Sequence, residues 1–497
     1  MANLWIRKPL DHLQAEAGEA EGGLKRTLGA PSLVALGIGA IIGAGLFVRT
    51  AAATANNAGP SVTLGFILAG IGCAFAGLCY AELASMIPIA GSAYTYSYAT
   101  MGELVAWIIG WDLVLEYAIG AATVAIAWSE YLNKLLELFG VQIPFALCHS
   151  PFQVSETTGA HGIINLPALG ILLVLTLLLI RGIQESATVN MIIVIMKVAI
   201  VLLIITLGWG FINAANHTPY IPEPAHYTDK AGGVHNYGGV MGILGAAGTV
   251  FFAFIGFDAV STAAQEAKNP GRDMPIGILG SLVVCTTLYI LFAHVLTGLA
   301  PVSFFRTSGS EASVARAIDA FMPGYKWLSN SVTVAILAGF SSVILVMLMG
   351  QSRVFYTMSK DGLVPPAFSE LHPVYRTPYK SNLLFFVFVG LFAAFVPEDI
   401  VGDMSSIGTL FAFILVSIGA WVMRVKEPTT PRPFRVAALP LVSILGVLSC
   451  GAMILGLGWP NWTRLGVWLV IGLVIYFGYS AKRSKLQHEV GRQAGTE

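Results

Sequence analysis

The sequence is poor in charge. Only 11% of its 497 residues are Asp, Glu, Lys or Arg, 56% are hydrophobic, and the mean hydropathy is +0.75. A soluble domain carries about 25% charged residues, and its exterior must stay polar at any size, so a soluble globular chain is excluded. Neither sign of charge dominates, since 27 basic and 27 acidic residues cancel. That balance removes the electrostatic footprint of a nucleic-acid binder. Cysteine is scarce as well. Cys73, Cys79, Cys148, Cys285 and Cys450 follow no zinc or disulfide spacing, and all but Cys148 lie in apolar runs, where a thiol is a small hydrophobe. The first 30 residues are polar, so no cleavable signal peptide is expected and the first apolar run must start insertion. What remains is an integral membrane protein.

Runs of roughly 20 apolar residues mark membrane-spanning helices. About twelve are expected, at 31–56, 61–87, 102–139, 166–180, 187–212, 239–266, 275–299, 328–358, 381–396, 404–425, 439–458 and 465–479. The third and eighth exceed the bilayer and should tilt or project. About nineteen Lys and Arg flank one set of span ends, including Lys25, Arg26, Arg181, Arg272, Arg353, Arg424 and Lys482, against about seven at the other, Arg49 and Lys230 among them. The positive-inside rule then puts both termini in the cytoplasm of a multi-pass plasma-membrane protein.

Two spans look broken. Span 1 contains Gly39, Gly43 and Gly45, and glycine costs about 1 kcal/mol relative to alanine inside a helix. Close packing through Gly39 and Gly43 explains this equally well. Span 6 places Gly256 and Asp258 at comparable depth. Interruptions in the first helix of each of two successive five-span sets, running in opposite directions, point to an inverted-repeat transporter with substrate between the breaks. An unwound turn offers N–H and C=O groups that only a protein-lined cavity tolerates. A helix N-terminus suits a carboxylate and carbonyl ends suit an ammonium, so a zwitterion fits both. The expected division is a cytoplasmic segment 1–30, a first repeat 31–212, an extracellular loop 213–238, a second repeat 239–425, two further helices with their preceding loop at 426–480, and a cytoplasmic tail 481–497.

The motifs Gly39-Ala-Ile-Ile-Gly-Ala-Gly-Leu-Phe47, Ile89-Ala-Gly-Ser-Ala-Tyr-Thr-Tyr-Ser-Tyr98, Phe254-Ile-Gly-Phe-Asp258, Glu266-Ala-Lys-Asn-Pro-Gly-Arg-Asp-Met-Pro-Ile-Gly277 and Arg353-Val-Phe-Tyr-Thr-Met-Ser-Lys-Asp-Gly362 resemble the amino acid–polyamine–organocation superfamily over essentially the whole chain. Trp111-Asp-Leu-Val-Leu-Glu-Tyr117 and the long eighth span resemble its cationic amino acid transporter family, bacterial branch. The resemblance implies an all-α membrane protein of the leucine-transporter fold, ten core helices in two inverted repeats plus two C-terminal helices. It also implies that Lys197 takes the place where sodium-driven relatives hold a sodium ion. Gly39 and a hydroxyl of Ser341 or Ser342 would surround it, although those serines serve equally as packing residues. Met347 matches the position that lines the family's side-chain pocket, or else packs the bundle.

The substrate-binding set expected is Ile41, Ile42, Gly43, Ala44 and Gly45 of span 1, Phe252, Ala253, Phe254, Ile255 and Asp258 of span 6, Glu116 and Met347. Phe254 is read as a gate at the break. Lys197 lies about ten residues into span 5, beyond snorkelling reach, and a central lysine costs at least about 2.5–3.5 kcal/mol. It therefore faces a cavity or an ion-pair partner, and a proton-coupling role is expected for it. Asp112 and Glu116 share one face of span 3. Glu116 is deep, and Asp112 is read as nearer the cytoplasmic interface and solvated. Glu116 and Asp258 either orient the unwound turns and the substrate amine or are acids neutralised within the bundle. Glu82 and Glu130 are read as interfacial, His294 has no evident partner, and most aromatic residues are expected to face lipid. No metal or cofactor is expected. The partners are an L-amino acid, a proton and membrane lipid, with an accessory subunit left open. The leading function is a sodium-independent secondary active carrier, proton-linked or exchanging, for small neutral amino acids such as alanine or for cationic ones. A sensor or channel on the same fold is the alternative. An enzyme is disfavoured because no catalytic motif is present.

Overall fold

The computed structural model describes residues 3–9, 28–87, 92–155, 159–182, 187–228, 234–264, 267–308 and 313–494. Lys25, Arg26, Ile89–Gly91, Lys230 and Glu266, used in the sequence analysis, lie outside them. Apolar helices follow in the order that hydropathy dictates. The first, α1, is divided into Ala30–Ile41 and a run that starts at Gly45, with π turns at Gly45–Arg49 and Thr54–Ala58. Then come α2 (Val62–Met86), α3 (Glu103–Glu137), α4 (Leu166–Ile180), α5 (Ala187–Gly208) and α6 (Gly239–Ser261). The rest are α7 (Pro270–Leu299), α8 (Lys326–Lys360), α9 (Tyr379–Phe395), α10 (Glu398–Lys426), α11 (Leu439–Gly456) and α12 (Trp459–Ile475). Among the described residues, nine continuous helical stretches are long and apolar enough to cross a membrane, and Ala30–Ile41, α4 and α9 are shorter apolar helices. The all-α membrane architecture expected is the one observed.

The helices pack in two groups. α7 lies against α1 and α2, and α6 against α2. α3 lies against α8 and α4 against α9, while α5 touches α1 and α8, and α10 bridges α2, α3 and α11. A further π turn interrupts α3 at Val114–Ile119, around Glu116. π turns hold one residue more than an α turn and occur often at functional sites. The loop at 213–238 contains a feature hydropathy does not reveal. Strands β1 (Ala225–Thr228) and β2 (Val234–Tyr237) form an antiparallel hairpin. Arg306 pins it, lying 4.1 Å and 4.4 Å from the Tyr227 and Tyr237 ring centres while its Nε donates to the Ala55 carbonyl at 2.9 Å.

Several polar residues sit deeper than their sequence neighbours suggest. Glu82 is buried, not interfacial: it accepts from Arg424 and from the Val436 N–H at 2.8 Å, with Arg432 at 3.4 Å. His294 has a partner, the ring of His217 at 4.6 Å. Burial and that neighbour push the His217 imidazole below its usual range. Many aromatics also turn inward: Trp107 and eight tyrosines are among the largest fully buried side chains. For several of them the interior supplies a partner for the polar tip. The Tyr98 and Tyr476 hydroxyls donate to Glu103, and Trp107 Nε1 donates to the Gly472 carbonyl.

Arg49, counted among the outer charges by sequence, is 1% exposed. It pairs with Asp403, with Asp399 at 3.3 Å and with Glu398 at 3.6 Å, joining the second half of α1 to the start of α10. Glu398 is itself 2% exposed. Breaking a buried pair by removing one partner costs about 3–5 kcal/mol. Arg49→Met should therefore lower the thermal unfolding midpoint of the detergent-solubilised protein substantially, and adding Glu398→Gln should restore part of the loss. A single variant that melts with wild type would show the cluster to be inconsequential for stability.

Candidate functional site

The site is built where α1 and α6 both lose their helices. Ile42 adopts an extended conformation (φ −72°, ψ 101°), and regular hydrogen bonding resumes only beyond Gly43. In α6, a 3-10 turn at Phe252–Phe254 gives way to extended Ile255 and then to Gly256 at φ +107°, a conformation that favours glycine. The helix restarts at Ala259.

The two breaks lie against each other. A Cβ added to Gly45 would sit 2.1 Å from Ala253 Cα, and one added to Gly256 would sit 3.0 Å from the Ala40 carbonyl oxygen. Glycines here serve backbone-to-backbone approach between two interrupted helices. Tyr289 of α7 joins them, its hydroxyl lying 3.0 Å from the carbonyl oxygens of both Ile41 and Ala253. Sequence reading missed this residue; a tyrosine in an otherwise apolar run was the only signal. Gly43 faces α8, where its added Cβ would meet Val343 Cγ2 at 3.3 Å.

The Lys197 side chain is 2% exposed, and its Nζ donates to the Gly39 carbonyl at 2.8 Å. The ammonium thus reaches α1 one turn before the break. On α8 its stem lies against Gly339, where a Cβ would come within 2.7 Å of Lys197 Cε. The Ser342 hydroxyl donates to the Gly339 carbonyl at 2.9 Å. Ser341 turns toward α3, taking a hydrogen bond from Trp128 Nε1 at 3.1 Å and donating to the Leu337 carbonyl.

Across the breaks, α3 and α6 bring acids together. Glu116 and Asp258 are fully buried and lie near each other, and among the described residues no hydrogen-bond partner is found for either Glu116 carboxyl oxygen or for Asp258 Oδ1. Two neighbouring carboxylates cannot both hold charge in a low-dielectric interior without a large Coulomb cost. Tyr117 adds a donor, its hydroxyl bonding Asp258 Oδ2 at 2.5 Å. Asp112 is fully buried as well, not solvated as its place in the sequence suggested. Trp111, stacked on Trp468 of α12 at 4.5 Å, and α10 at Gly408 cover that stretch of α3.

Met347 is 5% exposed and packs against Gly120 of α3, beside Ser405 of α10. Phe254 is fully buried between Phe66 of α2 and Tyr289, with ring centres 6.3 Å and 5.4 Å away. Its ring thus lies on the α2–α7 side of the break. Ala44, Ile41, Phe252 and Ile255 are likewise buried at the breaks. Among the described residues, no group of three His, Cys, Asp or Glu could hold a metal.

Residues 28–479 match the model of a family described as amino acid permease. The chain is 44% identical to a branched-chain amino acid permease of Bacillus subtilis, over 96% of this chain and 97% of the relative. It is 39% identical to a methylthioribose transporter of the same organism, over 98% of this chain and the whole of the relative. A vacuolar cationic amino acid transporter of Arabidopsis thaliana is 34% identical, over 86% of this chain and 68% of the relative.

Proposed function

Because the chain belongs to the amino acid permease family, a family of transporters and not enzymes, we propose that it is a secondary active, sodium-independent and proton-linked carrier of L-amino acids. The observation that carries this reading is the pair of facing breaks, with Gly45 on Ala253 and Gly256 on Ala40, flanked by the Lys197 ammonium on one side and the Glu116–Asp258 pair on the other. Unwound turns bind the amino and carboxylate groups, and the flanking charges bind and release the proton. The two repeats run over 31–212 and 239–425, both termini face the cytoplasm, and the carrier resides in the plasma membrane.

The side-chain pocket lies toward Val343 and Met347. The thioether of Met347 fills space between α8 and Gly120, which supports a small neutral substrate such as alanine over a cationic one. The relatives transport branched-chain or cationic amino acids by name, and one is named for a thioether sugar, so the pocket and not the backbone clamp sets the difference. Met347→Ser should shift the ratio of arginine to alanine affinity by about tenfold or more toward arginine, since a pocket change of this size is worth about 1–3 kcal/mol. Competition against labelled alanine measures it. Wild-type protein that already prefers arginine would refute the size argument.

The function itself is tested in proteoliposomes loaded with purified protein. Alanine uptake should persist when choline replaces sodium, rise with an inward proton gradient and collapse with a protonophore. Sodium-stimulated uptake indifferent to the proton gradient would sink the coupling proposal. Saturable binding without flux would favour a sensor. Competition by methylthioribose but not by amino acids would reassign the substrate.

A further inference from the structure

The buried polar groups beside the breaks extend further along α3 than a substrate head requires. Among the described residues, neither carboxylate oxygen of Asp112 has a hydrogen-bond partner, and neither end of the Gln351 amide has one. Both side chains are fully buried, as is Tyr80, whose hydroxyl is also unpartnered. A buried polar group left unsatisfied costs about 1–3 kcal/mol, and protein interiors meet that cost with ordered water.

The register of α3 against α8 sets these groups at neighbouring levels of the bundle. Met347 packs at Gly120, and the Tyr117 ring packs at Gly350, with a Cβ there 3.7 Å from it. This antiparallel register, continued by one residue, sets Gln351 level with Glu116. Gln351 is also one turn beyond Met347 and so shares its helix face. Asp112 comes four residues before Glu116, about 6 Å along the axis. α10 closes the remaining side, with the Ser405 hydroxyl donating to the Glu116 carbonyl at 3.3 Å and Gly408 so near that an added Cβ would lie 3.2 Å from Asp112 Oδ1. The titratable groups near these side chains are Glu116 and Asp258, Tyr117 bonded to Asp258, and Tyr80 and Tyr96.

We propose that Asp112 and Gln351 enclose a short chain of ordered waters that carries the coupling proton between the Glu116–Asp258 pair and the cytoplasmic end of α3, with Asp112 as the exchanging carboxylate. The O–H bond of protonated Glu116 breaks, its proton passes to a water, that water hands a proton on, and an O–H bond forms on Asp112. Glu116 becomes a carboxylate as Asp112 becomes neutral, so charge is conserved. Gln351 donates to and accepts from the same waters and holds them in line; it is a positioning residue. The inference rests on the proton-linked reading above.

Wild-type proteoliposomes given an inward pH gradient decide that reading first: no gradient-driven alanine uptake ends it and this inference together. With a gradient-driven wild type, Asp112→Asn should keep alanine counterflow within about twofold while gradient-driven uptake falls about tenfold or more, the scale of a lost proton-transfer group. Gln351→Leu removes the water anchor and leaves every acid in place. It should show the same split more weakly, with Asp112→Glu restoring gradient-driven uptake. Asp112→Asn accumulating like wild type would overturn the relay. So would equal loss of counterflow and accumulation in Gln351→Leu, which would make the space part of the substrate site. Should Asp112→Asn fail to fold, Gln351→Leu decides alone, and wild-type accumulation by it overturns the proposal.

Discussion

Lys197→Met is expected to bind alanine and never concentrate it. Methionine keeps most of the buried stem against Gly339 but removes both the charge and the hydrogen bond to Gly39. One unit of inward pH gradient is worth about 1.4 kcal/mol per proton, or about tenfold accumulation. Wild-type vesicles should approach that ratio, and variant vesicles should stop at the external concentration with counterflow preserved. Sodium cannot substitute in the wild type, because a second cation beside the ammonium would add several kcal/mol of repulsion at short range. In the variant the Gly39 carbonyl loses its cation, so weak sodium stimulation that wild type lacks is the expected secondary signature. A variant that still concentrates alanine would leave Lys197 with a structural role only.

Gly45→Val should abolish transport, and Gly43→Val should weaken it less. At Gly45 the first added carbon meets the Ala253 backbone at 2.1 Å, and backbone cannot rotate aside. At Gly43 it meets the Val343 side chain at 3.3 Å, which can shift by a few tenths of an ångström. Overpacking typically costs about 1–3 kcal/mol, and the upper value is about a hundredfold in the population of the closed arrangement. Uptake and thermal unfolding measured side by side separate the site effect from a general loss of fold. Equal activity of the two variants would contradict the close approach of α1 and α6 at Gly45.

The spans, the two breaks and the burial of Lys197 were legible in sequence because each is local. Apolar length, glycine in a helix and distance from a span end are all readable within about 20 residues. Partners distant in the chain were not. Arg49 counted as an outer charge until Glu398, Asp399 and Asp403, some 350 residues later, folded around it. Asp112 read as solvated because depth along a helix ignores what packs beside it, here Trp468 of α12 and Gly408 of α10. Tyr289 carried no motif at all, yet its hydroxyl lies within reach of a carbonyl of each broken helix. The proposed gate Phe254 was picked for its place at the break, but the side its ring takes depends on Phe66 and Tyr289.

The π turn at Val114–Ile119 makes chain length itself a specification. Because it holds one residue more than an α turn, deleting that residue would return α3 to regular winding with the later positions nearly in phase, whereas deleting one from the regular stretch Glu103–Leu113 would rotate every later position by about 100°. Gly120 would swing away from Met347, and Trp128 away from Ser341, although no residue in contact had been substituted. Designs that exchange α3 between homologous carriers must therefore match the residue count of each regular stretch before its composition, because a perfectly apolar replacement one residue short there would present the wrong face of the helix to the bundle.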